Sequence, residues 1–129
     1  YDYDEARNRT PSDEVKQIIA DFAAQEGKPQ RAISKEEIRE RLLYPMVNEG
    51  AKILEEGMAI RSSDIDVIWV HGYNWPRYWG GPMFWADLQG LDTVAARLNA
   101  LAASDGDHWK PAGLITQLAD EGKTFSDVS

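Results

Sequence analysis

This 129-residue chain contains no cysteine, which excludes disulfides, thiol chemistry and Cys-based zinc sites. Histidine is nearly absent: His71 and His108 are the only two, and they lie far apart in sequence. A catalytic histidine needs a nucleophile or carboxylate arranged around it. With no thiol and no Gly-x-Ser-x-Gly run, neither histidine has such a partner visible in sequence. There is also no Gly-x-Gly-x-x-Gly run, no P-loop and no βαβ pattern, so the chain shows no means of binding a nucleotide phosphate by itself. No apolar run reaches the length of a membrane span, and no signal-peptide pattern opens the chain. Basic charge is in deficit, with 14 Lys and Arg against 22 Asp and Glu, a net charge of −8 and a pI near 4.7. Nucleic acid and anionic membranes need a basic face and are poor partners for such a surface. One local basic pocket would still suffice for a small anion. A soluble, cytoplasmic protein is expected.

What the chain has in abundance is aromatic and apolar material: 43% apolar residues and five tryptophans. A single domain of this size buries roughly two-thirds of its unfolded surface. Its densest segment is 72–85, Gly-Tyr-Asn-Trp-Pro-Arg-Tyr-Trp-Gly-Gly-Pro-Met-Phe-Trp, with three tryptophans, two tyrosines, three glycines and two prolines. Tryptophan and tyrosine bring large apolar area with one polar handle each, and glycine and proline fix unusual backbone angles. The segment predicts a rigid connection between helices, and it suits either a ligand slot, a self-association surface or a wrapping for the core.

Helix punctuation is dense and strand signals are weak. Thr10-Pro11 predicts an N-cap and first turn, followed by Val15, Ile18, Ile19, Phe22 and Ala23 at helical spacing, closed by Gly27 and Pro29. Ser34 and Glu37 form a capping-box pattern ahead of the longest helix. That helix carries two rows: Ile38, Leu42 and Met46; then Leu43, Val47, Ala51, Leu54 and Met58. Pro45 predicts a kink inside it. Asn48, Glu49 and Gly50 violate helix propensity and mark either a site or tight packing, with Asn48 and Glu49 bonding a neighbouring loop. A third helix starts at Ser62 or Ser63, with Asp64 and Asp66 as first-turn caps rather than metal ligands, and buries Ile65, Ile68 and Trp69. His71 closes it, placed to meet its last carbonyls. Pro82 opens a fourth helix with Phe84, Trp85 and Leu88; Asp92 or Thr93 caps a fifth with Val94, Leu98 and Leu101; Leu114, Ile115 and Leu118 define a sixth over about 112–121. The prediction is an all-α compact bundle of about six helices without strands. The charged opening 1–9 and the missing initial Met suggest a linker within a longer protein.

The run 41–57, Arg-Leu-Leu-Tyr-Pro-Met-Val-Asn-Glu-Gly-Ala-Lys-Ile-Leu-Glu-Glu-Gly, resembles the first helix of the carboxy-terminal domain of 3-hydroxyacyl-CoA dehydrogenases. Asp64-Ile65-Asp66, Gly72-Tyr73, Gly81-Pro82 and Gly90-Leu91-Asp92 continue that resemblance in order. The long form of the aromatic segment is similar to one subset, the multifunctional fatty-acid oxidation enzymes that join an enoyl-CoA hydratase/isomerase to this dehydrogenase. They carry two copies of the helical domain, and the resemblance, over about 33–120, is to the second.

The resemblance implies residues 1–10 as linker, 11–32 as linker helix and 33–129 as the helical domain. It implies a parent that oxidises 3-hydroxyacyl-CoA with NAD⁺, but no cofactor held by this chain. Single-function relatives place a catalytic Asn in an Asn-Arg-Leu-Leu motif; here Glu40 stands in that slot before Arg41-Leu42-Leu43. No catalytic, cofactor-binding or metal-ligating residue is therefore carried over. A mainly structural role is expected, packing against other domains of the parent as a pseudo-dimer. Trp75, Arg77, Tyr78, Trp79, Asn48 and Glu49 are candidate substrate or interface contacts, with Lys52 or Arg61 as possible helpers of Arg77 toward acyl-CoA. A thiolase subunit is a further candidate partner. The rival reading is a free-standing acidic helical protein-interaction module.

Overall fold

A computed structural model describes residues 1–28 and 30–128. The chain falls into two units, Tyr1–Ser34 and Lys35–Ser129.

In the first unit, two-residue strands β1 (Asp2–Tyr3) and β2 (Arg9–Thr10) pair antiparallel, with Asp2 opposite Thr10. The sequence pattern does not show them because two residues are too few for an alternation. The turn between them comes from side-chain chemistry: the Asp4 carboxylate accepts the Asn8 amide at 2.8 Å and the Asn8 side-chain amide at 3.0 Å. Helix α1 spans Asp13–Gln25, so Ser12, not Thr10, sits at its N-cap. Gly27 at φ +63° and the bond from the Lys28 amide to the Ala23 carbonyl turn the chain out of the helix. The predicted stop at Pro29 lies outside the described residues. Val15, Ile18, Ile19 and Phe22 are all exposed.

The second unit holds five helices: α2 (Lys35–Glu55), α3 (Ser62–Gly72), α4 (Pro82–Gln89), α5 (Leu91–Asp105) and α6 (Gly113–Glu121). Short 3₁₀ turns at Arg77–Trp79, Asp107–Trp109 and Phe125–Val128 fill the connections. Helix α2 runs unbroken through Pro45 and packs against α4 and α6. Its buried stripe is Tyr44, Val47, Asn48 and Ala51, spaced i, i+3, i+4, i+7. Ile38 and Leu42, predicted to share a buried row, are exposed, as is Met58 beyond the helix end. The buried residues of α2 begin only at Tyr44, and the first two turns carry none. Gly50 has a packing reason: a Cβ there would meet the Met83 sulfur of α4 at 2.5 Å.

The core gathers Val47, Met83, Val94, Leu98, Ile115, Leu118 and Phe125, all essentially without solvent contact. Ile65 joins it from α3, whereas Ile68, predicted beside it, faces out. The buried face of α3 is Ser62, Ile65 and Asp66, and Ile68, two residues beyond Asp66, is turned about 160° from that carboxylate. Leu88 of α4 is likewise exposed. The last 3₁₀ turn is tied down by Asp87, whose carboxylate accepts the Phe125 amide at 2.8 Å and the Ser126 amide at 3.2 Å. That clamp seats Phe125 in the core.

Candidate functional site

The aromatic segment leaves α3 through two bonds to one carbonyl, from the Tyr73 amide at 3.2 Å and the Trp75 amide at 3.1 Å, both to Trp69. Trp75 is thereby turned inward and is 5% exposed. Its ring lies edge-on to Trp69, Trp79 and Trp85 at centroid distances of 6.2, 6.0 and 6.2 Å, geometry in which ring edges meet the negative faces of neighbours. Tyr44 of α2 joins through Trp85 at 5.8 Å. Its phenol is pushed to a higher pKa by burial first and by the Glu40 carboxylate second, with Arg97 opposing. The indole nitrogen of Trp75 has no hydrogen-bond partner among the described residues, so ring packing alone holds it. Trp75 and Trp79 therefore belong chiefly to the wrapping of the core, while Arg77 and Tyr78, the latter 82% exposed, point outward from the same turn.

Beside this cluster lies an open groove of about 450 Å³, lined by Asp66, Val67, Val70 and His71 of α3, Arg77 and Gly80 of the connection, and Phe84 of α4. Asp66 is its inner wall. It does not cap its own helix as the Ser-x-x-Asp spacing predicts. Instead Asp64 accepts the Arg61 amide at 3.2 Å and pairs with the Arg61 guanidinium at 2.9 Å, while Asp66 reaches across to α4. Its carboxylate accepts the Met83 amide at 2.7 Å and the Phe84 amide at 3.1 Å. Gly81 precedes Pro82 at the start of α4 and has no side chain to do that work, so α3 supplies the cap.

Burial raises the Asp66 pKa, the two amide bonds oppose that, and nearby Asp87 adds to the rise. The folded state thus holds this proton more tightly than the unfolded chain. The associated stability is fully present below the ordinary Asp value and is lost as pH rises through the raised folded value. Asp66→Asn keeps one acceptor oxygen, loses one bond and does not titrate. Its stability deficit relative to wild type is expected to be larger at about pH 3.5 than at about pH 7. Urea unfolding at the two pH values reads this. A deficit that widens toward neutral pH would show that the amide bonds outweigh desolvation.

The second predicted pair lies elsewhere: Asn48 and Glu49 both line a small cavity of about 50 Å³ with Pro45, Leu98, His108 and Trp109. Asn48, 2% exposed, donates to the Lys110 carbonyl at 2.9 Å and accepts the Ala112 amide at 2.7 Å. Glu49 beside it is exposed and pairs with Lys52 at 2.6 Å rather than with a loop. A second acid of α2, Glu55, makes the backbone contact that Glu49 does not, its carboxylate accepting the Leu114 amide at the start of α6. Neither Asn48 nor Glu49 lines the groove beside the aromatic segment. Glu40 forms a 2.6 Å ion pair with Arg97 of α5. Arg41 bridges Glu37 and Asp105 at 2.9 and 3.0 Å, and those carboxylates raise its pKa further. Among the described residues no group of three His, Asp or Glu side chains is arranged to hold a metal.

The chain matches the family described as 3-hydroxyacyl-CoA dehydrogenase, C-terminal domain, over residues 38–126. It belongs to that family. The peroxisomal bifunctional enzyme of Cavia porcellus is 37% identical over 126 residues, covering 95% of this chain and 17% of that protein. The peroxisomal bifunctional enzyme of Homo sapiens is 44% identical over 94 residues, 71% of this chain and 13% of that protein. The glyoxysomal fatty acid beta-oxidation multifunctional protein MFP-a of Cucumis sativus is 34% identical over 130 residues, 98% of this chain and 18% of that protein. The chain thus spans less than a fifth of the length of these relatives. Their names place them in peroxisomes and glyoxysomes rather than in the cytoplasm expected from composition.

Proposed function

We propose that this chain is a non-catalytic helical domain, the second copy, of a multifunctional enzyme of fatty-acid β-oxidation. The parent would oxidise 3-hydroxyacyl-CoA with NAD⁺ and carry enoyl-CoA hydratase activity, in a peroxisome-type compartment. Within it, residues 1–10 serve as linker, 11–32 as linker helix and 33–129 as the domain that buttresses the rest of the dehydrogenase by pseudo-dimer packing. Other domains of the parent are its partners, and acyl-CoA or a thiolase subunit are further candidates for its open face.

The observation that carries this reading is Glu40. It occupies the slot where the resemblance places a catalytic Asn, and it is engaged by Arg97 at 2.6 Å as a strut between α2 and α5. A carboxylate held by a guanidinium is not positioned to orient a substrate carbonyl. Glu40→Ala is expected to cost about 1 kcal/mol of stability, the upper end for a partly exposed pair, measured by urea unfolding. The functional test is turnover. The isolated chain, incubated with acetoacetyl-CoA and NADH, is expected to leave absorbance at 340 nm unchanged. Oxidation of NADH by the purified chain would sink the structural reading.

A further inference from the structure

The groove beside the aromatic segment has a charge character opposite to that of the protein around it. The chain carries a net charge of −8. In the same unit Arg41, Arg61, Arg97, Lys52, Lys110 and Lys123 are each paired with a carboxylate. Arg77 has no ion-pair partner among the described residues, is exposed, and lines the groove together with His71. The one carboxylate in the lining, Asp66, is engaged by the Met83 and Phe84 amides at the positive end of α4, which offsets its charge. The rest of the wall is Ser63 at one edge and an apolar surface of Val67, Val70 and the ring of Phe84. That ring rests against the bare backbone of Gly80, where a Cβ would overlap it, so the groove's width depends on a glycine at φ +74°. At about 450 Å³ the space lies within the usual range for small-molecule sites, roughly 300–1,000 Å³.

We propose that this groove binds an amphiphilic anion, its aliphatic or aromatic body against Val67, Val70 and Phe84 and its carboxylate or phosphate head at Arg77 and His71. The site is independent of the structural role argued above: a chain without turnover can still hold a ligand, and a ligand here does not supply the missing catalytic Asn. A guanidinium suits such a head because it offers several donors in a fixed plane and stays charged at any working pH. An unpaired Arg beside exposed Val67, half-buried Val70 and a phenylalanine is the polar-plus-apolar pairing that selects amphiphiles over simple salts or simple hydrocarbons.

The test is calorimetric titration of the 129-residue chain with sodium octanoate, octan-1-ol, coenzyme A and octanoyl-CoA, repeated on Arg77→Ala and Val67→Asp. Both positions are exposed, so circular dichroism of the variants should match wild type. Octanoate is expected to saturate one site, octanol to bind at least tenfold more weakly, and coenzyme A alone to show no binding. Arg77→Ala should weaken octanoate about tenfold, the scale of one charge-assisted hydrogen bond, and leave octanol unchanged. Val67→Asp should abolish both. Octanoyl-CoA binding more tightly than octanoate, and losing that advantage in Arg77→Ala, would support the site and assign its head contact to the coenzyme's phosphates. Equal binding of octanoate and octanol, an unaltered Arg77→Ala, or no saturation by octanoate at millimolar concentration would overturn the proposal.

Discussion

Gly81→Ala is expected to destabilise the domain by about 4 kcal/mol, a large share of the 5–15 kcal/mol that holds a typical domain folded. Two costs add at this position. Gly81 has φ +107° and ψ 167°, a backbone region essentially reserved for glycine, where a side chain costs roughly 1–3 kcal/mol. A Cβ there would also overlap the Asp66 carboxylate. Asp66 cannot retreat without releasing the Met83 and Phe84 amides, and a hydrogen bond to a charged group is worth about 1.5–3 kcal/mol. Thermal unfolding should fall by about 15 °C for a chain of this length.

Gly122→Ala separates the two costs. Gly122 ends α6 at φ +63° and ψ 29°, and a Cβ there would meet nothing within 4 Å. Only the left-handed backbone penalty applies, about 1 kcal/mol. If the two alanine variants lost equal stability, the collision with Asp66 would not be what makes Gly81 necessary. A Gly81→Ala/Asp66→Ala double variant adds a second check. With the carboxylate gone, alanine at 81 should cost much less than it does in wild type, which is a coupling between touching residues.

This pair of residues also shows what was legible in the sequence and what was not. Gly81-Pro82 was readable as a helix start, because a proline at the first helical position behind a glycine is a local signal. Asp66 was readable as a helix cap, because acids concentrate in first turns. That Asp66 caps the other helix was not readable, since the choice is made by how α3 and α4 pack, not by spacing along one of them. The same distinction explains Asn48 and Glu49. Asn48 is a poor helix former and Glu49 a good one, and only Asn48 lies on the stripe that α6 and its preceding loop cover. The exposed Ile38 and Leu42 are the converse case: periodicity showed an apolar row, yet the row continues past the residues that α4 and α6 contact. Of the candidate contacts, Trp75 and Trp79 were drawn into the ring cluster and Arg77 was left outside it. The 3₁₀ turn over Arg77–Trp79 decided that, because its successive side chains point about 120° apart, and composition carries no trace of it.

Asn48→Ala is expected to cost about 3 kcal/mol, because it orphans the buried Ala112 donor and the partly buried Lys110 acceptor. The side chain spans Pro111: it donates to the Lys110 carbonyl on one side and accepts the Ala112 amide on the other. Proline has no N–H of its own, so the loop cannot close these groups by a local turn at that residue. Each unsatisfied buried group costs roughly 1–3 kcal/mol, and both belong to the segment that launches α6 at Gly113. Hydrogen exchange should show the Ala112 amide losing protection first, with the first turn of α6 following. Asn48→Asp sharpens the point. An ionised Asp keeps the acceptor for Ala112 but turns a second carboxylate oxygen toward the Lys110 carbonyl, while a protonated Asp regains a donor. The Asp variant should therefore recover stability as pH falls, whereas the Ala variant should not. Glu49→Ala, one residue along and exposed, removes only a surface pair with Lys52 and should change stability by less than about 0.5 kcal/mol. Equal losses for the Asn48 and Glu49 variants would mean that α6 is held by its apolar face alone, and that the helix-breaking Asn is not the clasp the geometry makes it.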